Sequence, residues 1–187
     1  MQNYLYHFHL PRYQELPDVG IYLEQSTQYI NSYLKPLGCD EITPSMISNY
    51  VKKGYINGPV KKQYYADQIA YLFFIAIVKQ ALSMENIRTL FEMQKKTHDT
   101  QIAYDYFCQE LEEMLCAIFA GKKIEQSFGR KNNLEENMLK STIAAVSHII
   151  YLRHCFSSLD TEIEENCYKY LTIIQFHFYA ICGTIIH

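Results

Sequence analysis

The sequence predicts a mainly all-α chain, and three observations carry that expectation. Apolar residues recur at helical spacing along most of the 187 residues, and the alternating pattern of strands is scarce. Glycine (seven) and proline (five) are few and fall where helices would start or stop. An apolar fraction of 49% is ordinary for a globular protein, so burial alone can hold a sizeable core. The length fits a small N-terminal domain with a helical appendage. The division is expected at 1–95 and 96–187.

Residues 1–20 carry aromatic residues with Pro11 and Pro17, and they read as a leader lying over the domain. His7 and His9 would point the same way in an extended segment, but no carboxylate or thiol close in sequence completes a metal site. The spacing of Tyr22, Tyr29, Ile30, Tyr33 and Leu34 predicts a supporting helix over 21–34, stopped by Pro36 and Gly38. The link to Ile42 contains Asp40 and Glu41 and is expected to bend away from any polyanion.

The next helix is punctuated at both ends. Thr43 is a good N-cap, Pro44 suits the first helical position, and Gly54 supplies a left-handed stop. At about 100° per residue, Ile47, Tyr50 and Val51 share an inward face. Ser45, Ser48, Asn49 and Lys52 form the opposite arc, with Lys53 at its edge. Hydroxyls and an amide can meet base edges and lysines can meet phosphates, so this arc suits a major groove.

A turn signal at Gly58-Pro59 leads into a short extended run with Lys61, Lys62 and Tyr64. Between Thr43 and Tyr65 the charged residues are four lysines, with no Asp or Glu, although the whole chain carries a formal charge of −3. A basic patch against an acidic background is the pattern of a phosphate footprint. The expected contacts are Thr43, Ser45, Ser48 and Asn49 on the helix, and Lys52, Lys53, Lys61 and Lys62 on phosphate. Tyr50 and Tyr64 could lend hydroxyls to the DNA backbone, and a core role suits each ring equally well.

Further helices are expected from Asp67 through Ile77, from Ser83 through Phe91 and beyond, and from Thr97 to Ala120 with Gly121 as the stop. Phe107, Leu111, Met114, Leu115 and Ile118 mark the buried stripe of the third. A polar connector with Lys122, Lys123, Arg130 and Lys131 follows. A helix over 134–156 is expected to break at Ser157-Ser158, with a last helix beginning at Asp160 or Thr161. The uncharged tail, 170–187, approaches the length of a membrane span, but Thr172, Gln175, His177 and the missing basic flank favour a helix buried in a bundle or dimer.

No phosphate loop, dinucleotide fingerprint, zinc-enzyme helix or nucleophile elbow is present, so an enzyme is not expected. Cys108 and Cys116 fall near one helix face without a third thiolate, and no Cys-x-x-Cys pair exists, so neither metal nor cofactor is expected. The opening residues lack the basic region and apolar core of a secretory signal. The cysteines therefore read as reduced thiols of a cytoplasmic protein.

The order of these parts resembles the DNA-binding domain of the MerR family. Ile47, Tyr50, Lys52, Gly54 and Ile56 match its helix-turn-helix, Lys62 and Tyr64 its wing, and Leu82, Ser83, Met84, Glu85 and Ile87 its helix-pair joint. Ser48 and Asn49 replace the usual arginine and tyrosine, and the wing is short. A closer resemblance is to the bacterial family designated domain of unknown function 1836. It rests on Leu16-Pro17-Asp18, Tyr22-Leu23, Thr43 to Ile47, Asn49 to Gly54 and Leu82-Ser83. The resemblance implies a winged helix-turn-helix over 1–95 and a homodimeric regulator that binds double-stranded DNA. In MerR proteins the following helix pairs with its twin, so the segment after Thr97 would dimerise and could enclose a small apolar effector. The competing expectation is an interaction or small-molecule-sensing protein that keeps the fold without specific DNA binding.

Overall fold

The computed structural model describes the backbone of residues 3–122 and 134–183, and the side chains of residues 5–122 and 134–159. The chain is mostly helical with one two-stranded sheet, which agrees with the all-α expectation. After two short 3-10 turns come β1 (Ile21–Tyr22), α1 (Leu23–Leu34), a further 3-10 turn (Lys35–Leu37) and α2 (Pro44–Lys52). Then follow β2 (Gln63–Tyr64), α3 (Ala66–Val78), α4 (Met84–Thr97), α5 (Thr100–Phe119) and α6 (Leu134–Gly183). The chain divides into two compact units, residues 2–151 and, apart from Met1, residues 152–187.

In the first unit the core is built around α3, an apolar helix in which Ile69, Leu72, Phe73 and Ile75 to Val78 are all buried. Helix α1 packs on it through Ile30 and Leu34, and α5 through Tyr104, Phe107 and Leu111. Ile143, Val146 and Ile150 of α6 belong to the same core. β1 runs antiparallel to β2, with Ile21 opposite Tyr64 and Tyr22 opposite Gln63. Gly20 is confined there, since a Cβ would sit 2.7 Å from Gln63 Cβ and 2.8 Å from the Tyr65 ring.

The helix starts follow local chemistry. Thr43 and Ser83 cap α2 and α4 by accepting from the amides of Met46 and Asn86, both at 3.2 Å. α1 and α3 begin instead at Tyr22 and Tyr65, whose amides donate to Gln25 and Gln68 at 2.9 and 2.8 Å. Gly54 and Gly121 take left-handed φ values of 71° and 63° just past α2 and α5, as their sequence positions predict.

Two expected helix bounds are corrected, at Thr97 and at Ser157-Ser158. The helix expected from Thr97 begins at Thr100, because α4 runs to Thr97 and a break at His98-Asp99 separates the two. Phe107, Leu111 and Leu115 of the α5 stripe belong to the same core cluster as Leu5, Leu10 and Leu16. The division was expected at 95/96; the compact units meet in the chain at 151/152. Finally, α6 does not break at Ser157-Ser158: the Ser158 hydroxyl donates back to the His154 carbonyl at 2.9 Å, a bond that lets serine sit inside a helix. The expected fresh helix at 160 is thus a continuation.

The leader is bound more tightly than its composition suggests. Glu112 of α5 accepts from both terminal guanidinium nitrogens of Arg12, at 2.7 and 2.6 Å, and from the Leu10 amide at 2.8 Å. Asp105 takes the Tyr13 amide at 2.7 Å, and the Tyr6 hydroxyl donates to the Phe119 carbonyl. The connector cations Lys123, Arg130 and Lys131 lie outside the described residues, as do the side chains of the uncharged tail. Among the described residues no helix is long and apolar enough to cross a membrane.

Candidate nucleic-acid interface

Helix α2 divides as its periodicity requires. Ile47 and Tyr50 are buried and Val51 is half-buried, whereas Ser45, Ser48, Asn49, Lys52 and Lys53 are exposed. The outward arc carries no carboxylate. Its hydroxyls are partly engaged: Thr43 Oγ1 serves as the cap and lies 2.9 Å from Ser45 Oγ, and Ser48 donates to the Pro44 carbonyl at 2.9 Å. A serine oxygen that donates once keeps acceptor capacity, so Ser45 and Ser48 can still receive a bond from a base amine. Asn49 offers both an amide donor and an acceptor.

Three contacts that sequence reasoning missed hold α2 in place. Asn31 of α1 bonds both backbone groups of Ile42, giving to its carbonyl and accepting its amide, each at 2.9 Å. That clasp fixes the chain at the residue before the Thr43 cap. At the other end Arg88 of α4 donates to the Lys53 carbonyl at 2.9 Å, and its guanidinium lies 4.7 Å from the centre of the Tyr55 ring. A cation at the C-terminus of α2 also favours its macrodipole. Gln68 of α3, besides capping Tyr65, donates to the Gly58 carbonyl at 2.7 Å and so ties down the loop leaving α2. Only Gln68 had a signal in the sequence, three residues after the helix start. Asn31 and Arg88 act across 11 and 35 residues, beyond any local pattern.

Lys61 and Lys62 form the two central residues of a tight hairpin turn. Val60 and Gln63 exchange both backbone bonds at 2.9 Å, and the lysines take φ values of 49° and 68°. Two consecutive left-handed residues are the geometry of a type I′ turn, which favours Asn-Gly. Lysine there is strained by about 1–2 kcal/mol per residue. Both side chains are exposed.

Tyr50 and Tyr64 are 6% and 3% exposed, and burial pushes both phenols above their ordinary pKa. Tyr50 packs edge-on against Tyr55, with ring centres 6.4 Å apart. Rings so enclosed belong to the core, which is the packing role the sequence left open for each.

A family model described as Domain of unknown function (DUF1836) matches residues 11–107, just over half of the chain. The chain belongs to this family. The DUF1836 segment runs from the leader through the first turns of α5, so it contains α2, the lysine turn and the clasps of Asn31, Gln68 and Arg88. No curated protein and no solved structure matches the chain.

Proposed function

We propose that this protein is a DNA-binding transcriptional regulator of the cytoplasm, MerR-like in its winged helix-turn-helix arrangement, that acts as a homodimer on double-stranded DNA. Helix α2 is the reader, with Ser45, Ser48 and Asn49 toward base edges and Lys52 and Lys53 toward phosphate. The turn at Lys61-Lys62 is the tip of a short wing. The observation that carries the reading is this turn: the chain holds two exposed lysines in a conformation that disfavours them, directly after a capped helix with a carboxylate-free polar face. Strain kept at a surface turn, where neither side chain packs, points to a use for the side chains.

Dimerisation is assigned to α6 beyond Tyr151, because α5 spends its apolar stripe within its own chain. Leu152, Phe156 and Leu159 are 51%, 63% and 51% exposed at a helical spacing. A second copy offers the same stripe in return. Sedimentation tests this part: the dimer should dissociate in the Phe156→Glu variant.

Selection of bound fragments from random duplexes tests the reading as a whole. An enriched half-site pair with a spacing near one helical turn or its multiple supports it. No enrichment, with weak binding even at low salt, moves the protein to the rival class of interaction or small-molecule-sensing proteins without specific DNA binding. That rival draws support from the overall charge of −3 and from the Ser48 hydroxyl being turned back to its own helix.

A further inference from the structure

Helices α3, α4 and α5 and the first turns of α6 line an aromatic cavity, open on one side, that the DNA reading does not use. Its inner part, about 60 Å³, is walled by Tyr71, Phe74, Phe91 and Phe107. These rings meet edge to face, with centres 4.6 Å apart for Tyr71 and Phe91 and 4.8 Å for Phe74 and Phe107. An outer part of about 310 Å³, bounded by His98, Ile102 and Tyr106, shares Gln94, Ala103, Glu135 and Leu139 with the inner one. Space of this order holds a small molecule with one ring and a short chain.

The polar groups at the junction select the charge of the occupant. Glu135 lines both parts, and its two carboxylate oxygens each lie 3.0 Å from the Thr97 hydroxyl, whose single proton they share with the Met93 and Gln94 carbonyls. Among the described residues no cation pairs with it, whereas the neighbouring Glu136 is held by Lys140 at 2.8 Å. The ring faces are electron-rich, and Lys95 already lies 5.4 Å over Tyr71. A carboxylate without a counter-charge beside these edge-to-face rings favours a cation and repels an anion.

We propose that this cavity binds a small organic cation, its apolar body among the rings of α3, α4 and α5 and its ammonium end at Glu135. The site stands on its own geometry and does not depend on DNA binding. Titration calorimetry of the full chain with 4-phenylbutylammonium, 4-phenylbutanol and 4-phenylbutanoate tests it, since the three share one body and differ in charge. The ammonium should bind, the alcohol should bind at least about tenfold more weakly, and the carboxylate should give no heat. Glu135→Gln should bring the ammonium down to the level of the alcohol and leave the alcohol unchanged. Ala103→Leu, which fills the junction, should abolish both; Leu139→Phe replaces it should Ala103→Leu fail to fold, as judged by its melting midpoint. Equal affinity for ammonium and alcohol, preference for the carboxylate, a preference that survives Glu135→Gln, or no binding by any of the three overturns the proposal.

Discussion

Asn31 and Ile42 are joined by two hydrogen bonds of 2.9 Å, one in each direction, so a single side-chain amide satisfies both backbone groups of the residue leading into α2. Replacing Asn31 by alanine leaves a buried amide and carbonyl unpaired. The expected cost is about 1–3 kcal/mol in urea denaturation. Asn31→Asp keeps the acceptor but sets a carboxylate against the Ile42 carbonyl, so it should not rescue. Wild-type stability in Asn31→Ala would remove this clasp from the account of how α2 is held.

The lysine turn should separate stability from binding. Lys61→Asn combined with Lys62→Gly relieves two left-handed lysines and should raise stability by about 1–3 kcal/mol. If both lysines meet phosphate, the same pair of changes flattens the dependence of log affinity on log salt by about two units. A more stable protein with an unaltered salt slope would leave this turn without a role on DNA.

Arg88 joins α4 to the end of α2. Arg88→Met keeps the aliphatic stem but loses the bond to the Lys53 carbonyl and the stacking on Tyr55, and should cost about 1–3 kcal/mol. Arg88→Lys should recover only part, since an ammonium cannot lie flat on a ring while reaching the carbonyl. Full recovery by lysine would mean that charge alone matters.

Phe91 and Gln94 of the cavity lie on the helix that carries Arg88. A ligand that shifts α4 should therefore alter DNA affinity, by about fivefold or more, and DNA should alter ligand affinity by the same factor. Fluorescence anisotropy of labelled duplex with and without 4-phenylbutylammonium measures the first, and calorimetry with and without duplex the second. Identical curves would show two uncoupled sites.

Alkali should unfold the protein in a defined window. Burial pushes the Cys108 thiol up to about 12 and, with help from Asp67, the Tyr13 phenol to about 12; it also raises Tyr29, Tyr71 and Tyr104. Each group holds its proton more firmly when folded. Its contribution is complete below the unfolded values of 9.0 for cysteine and 10.0 for tyrosine, and is lost as pH climbs through the folded ones. The urea midpoint should hold to about pH 9 and fall steeply toward pH 11. At pH 8 iodoacetamide should label the half-buried Cys116 and Cys155 and spare Cys108 until urea is added. Native labelling of Cys108, or a midpoint unchanged at pH 11, would contradict this burial.

Much of the region around α2 was legible because its signals are local. Thr43, Pro44 and Gly54 bracket α2 within one stretch of chain, and the 3.6-residue period separates Ile47 and Tyr50 from Ser48 and Lys52. The serine cap at Ser83 was equally plain. What sequence could not reveal depends on distance along the chain. The leader is fastened by Arg12 to Glu112, a hundred residues away, and α5 is turned inward by Leu5, Leu10 and Leu16. Ser157-Ser158 reads as a break because serine is a weak helix former, whereas the Ser158 hydroxyl returns to the preceding turn. The aromatic cavity arises only where four helices meet, so no single stretch announces it.

Lys61 and Lys62 mark a place where two selective pressures on one turn would diverge. A library of this chain screened for heat tolerance alone should drift toward asparagine and glycine at these positions. One screened for retention on a polyanion should hold the lysines and gather its gains elsewhere. The identity of two neighbouring residues would then tell an experimenter which demand a lineage had met.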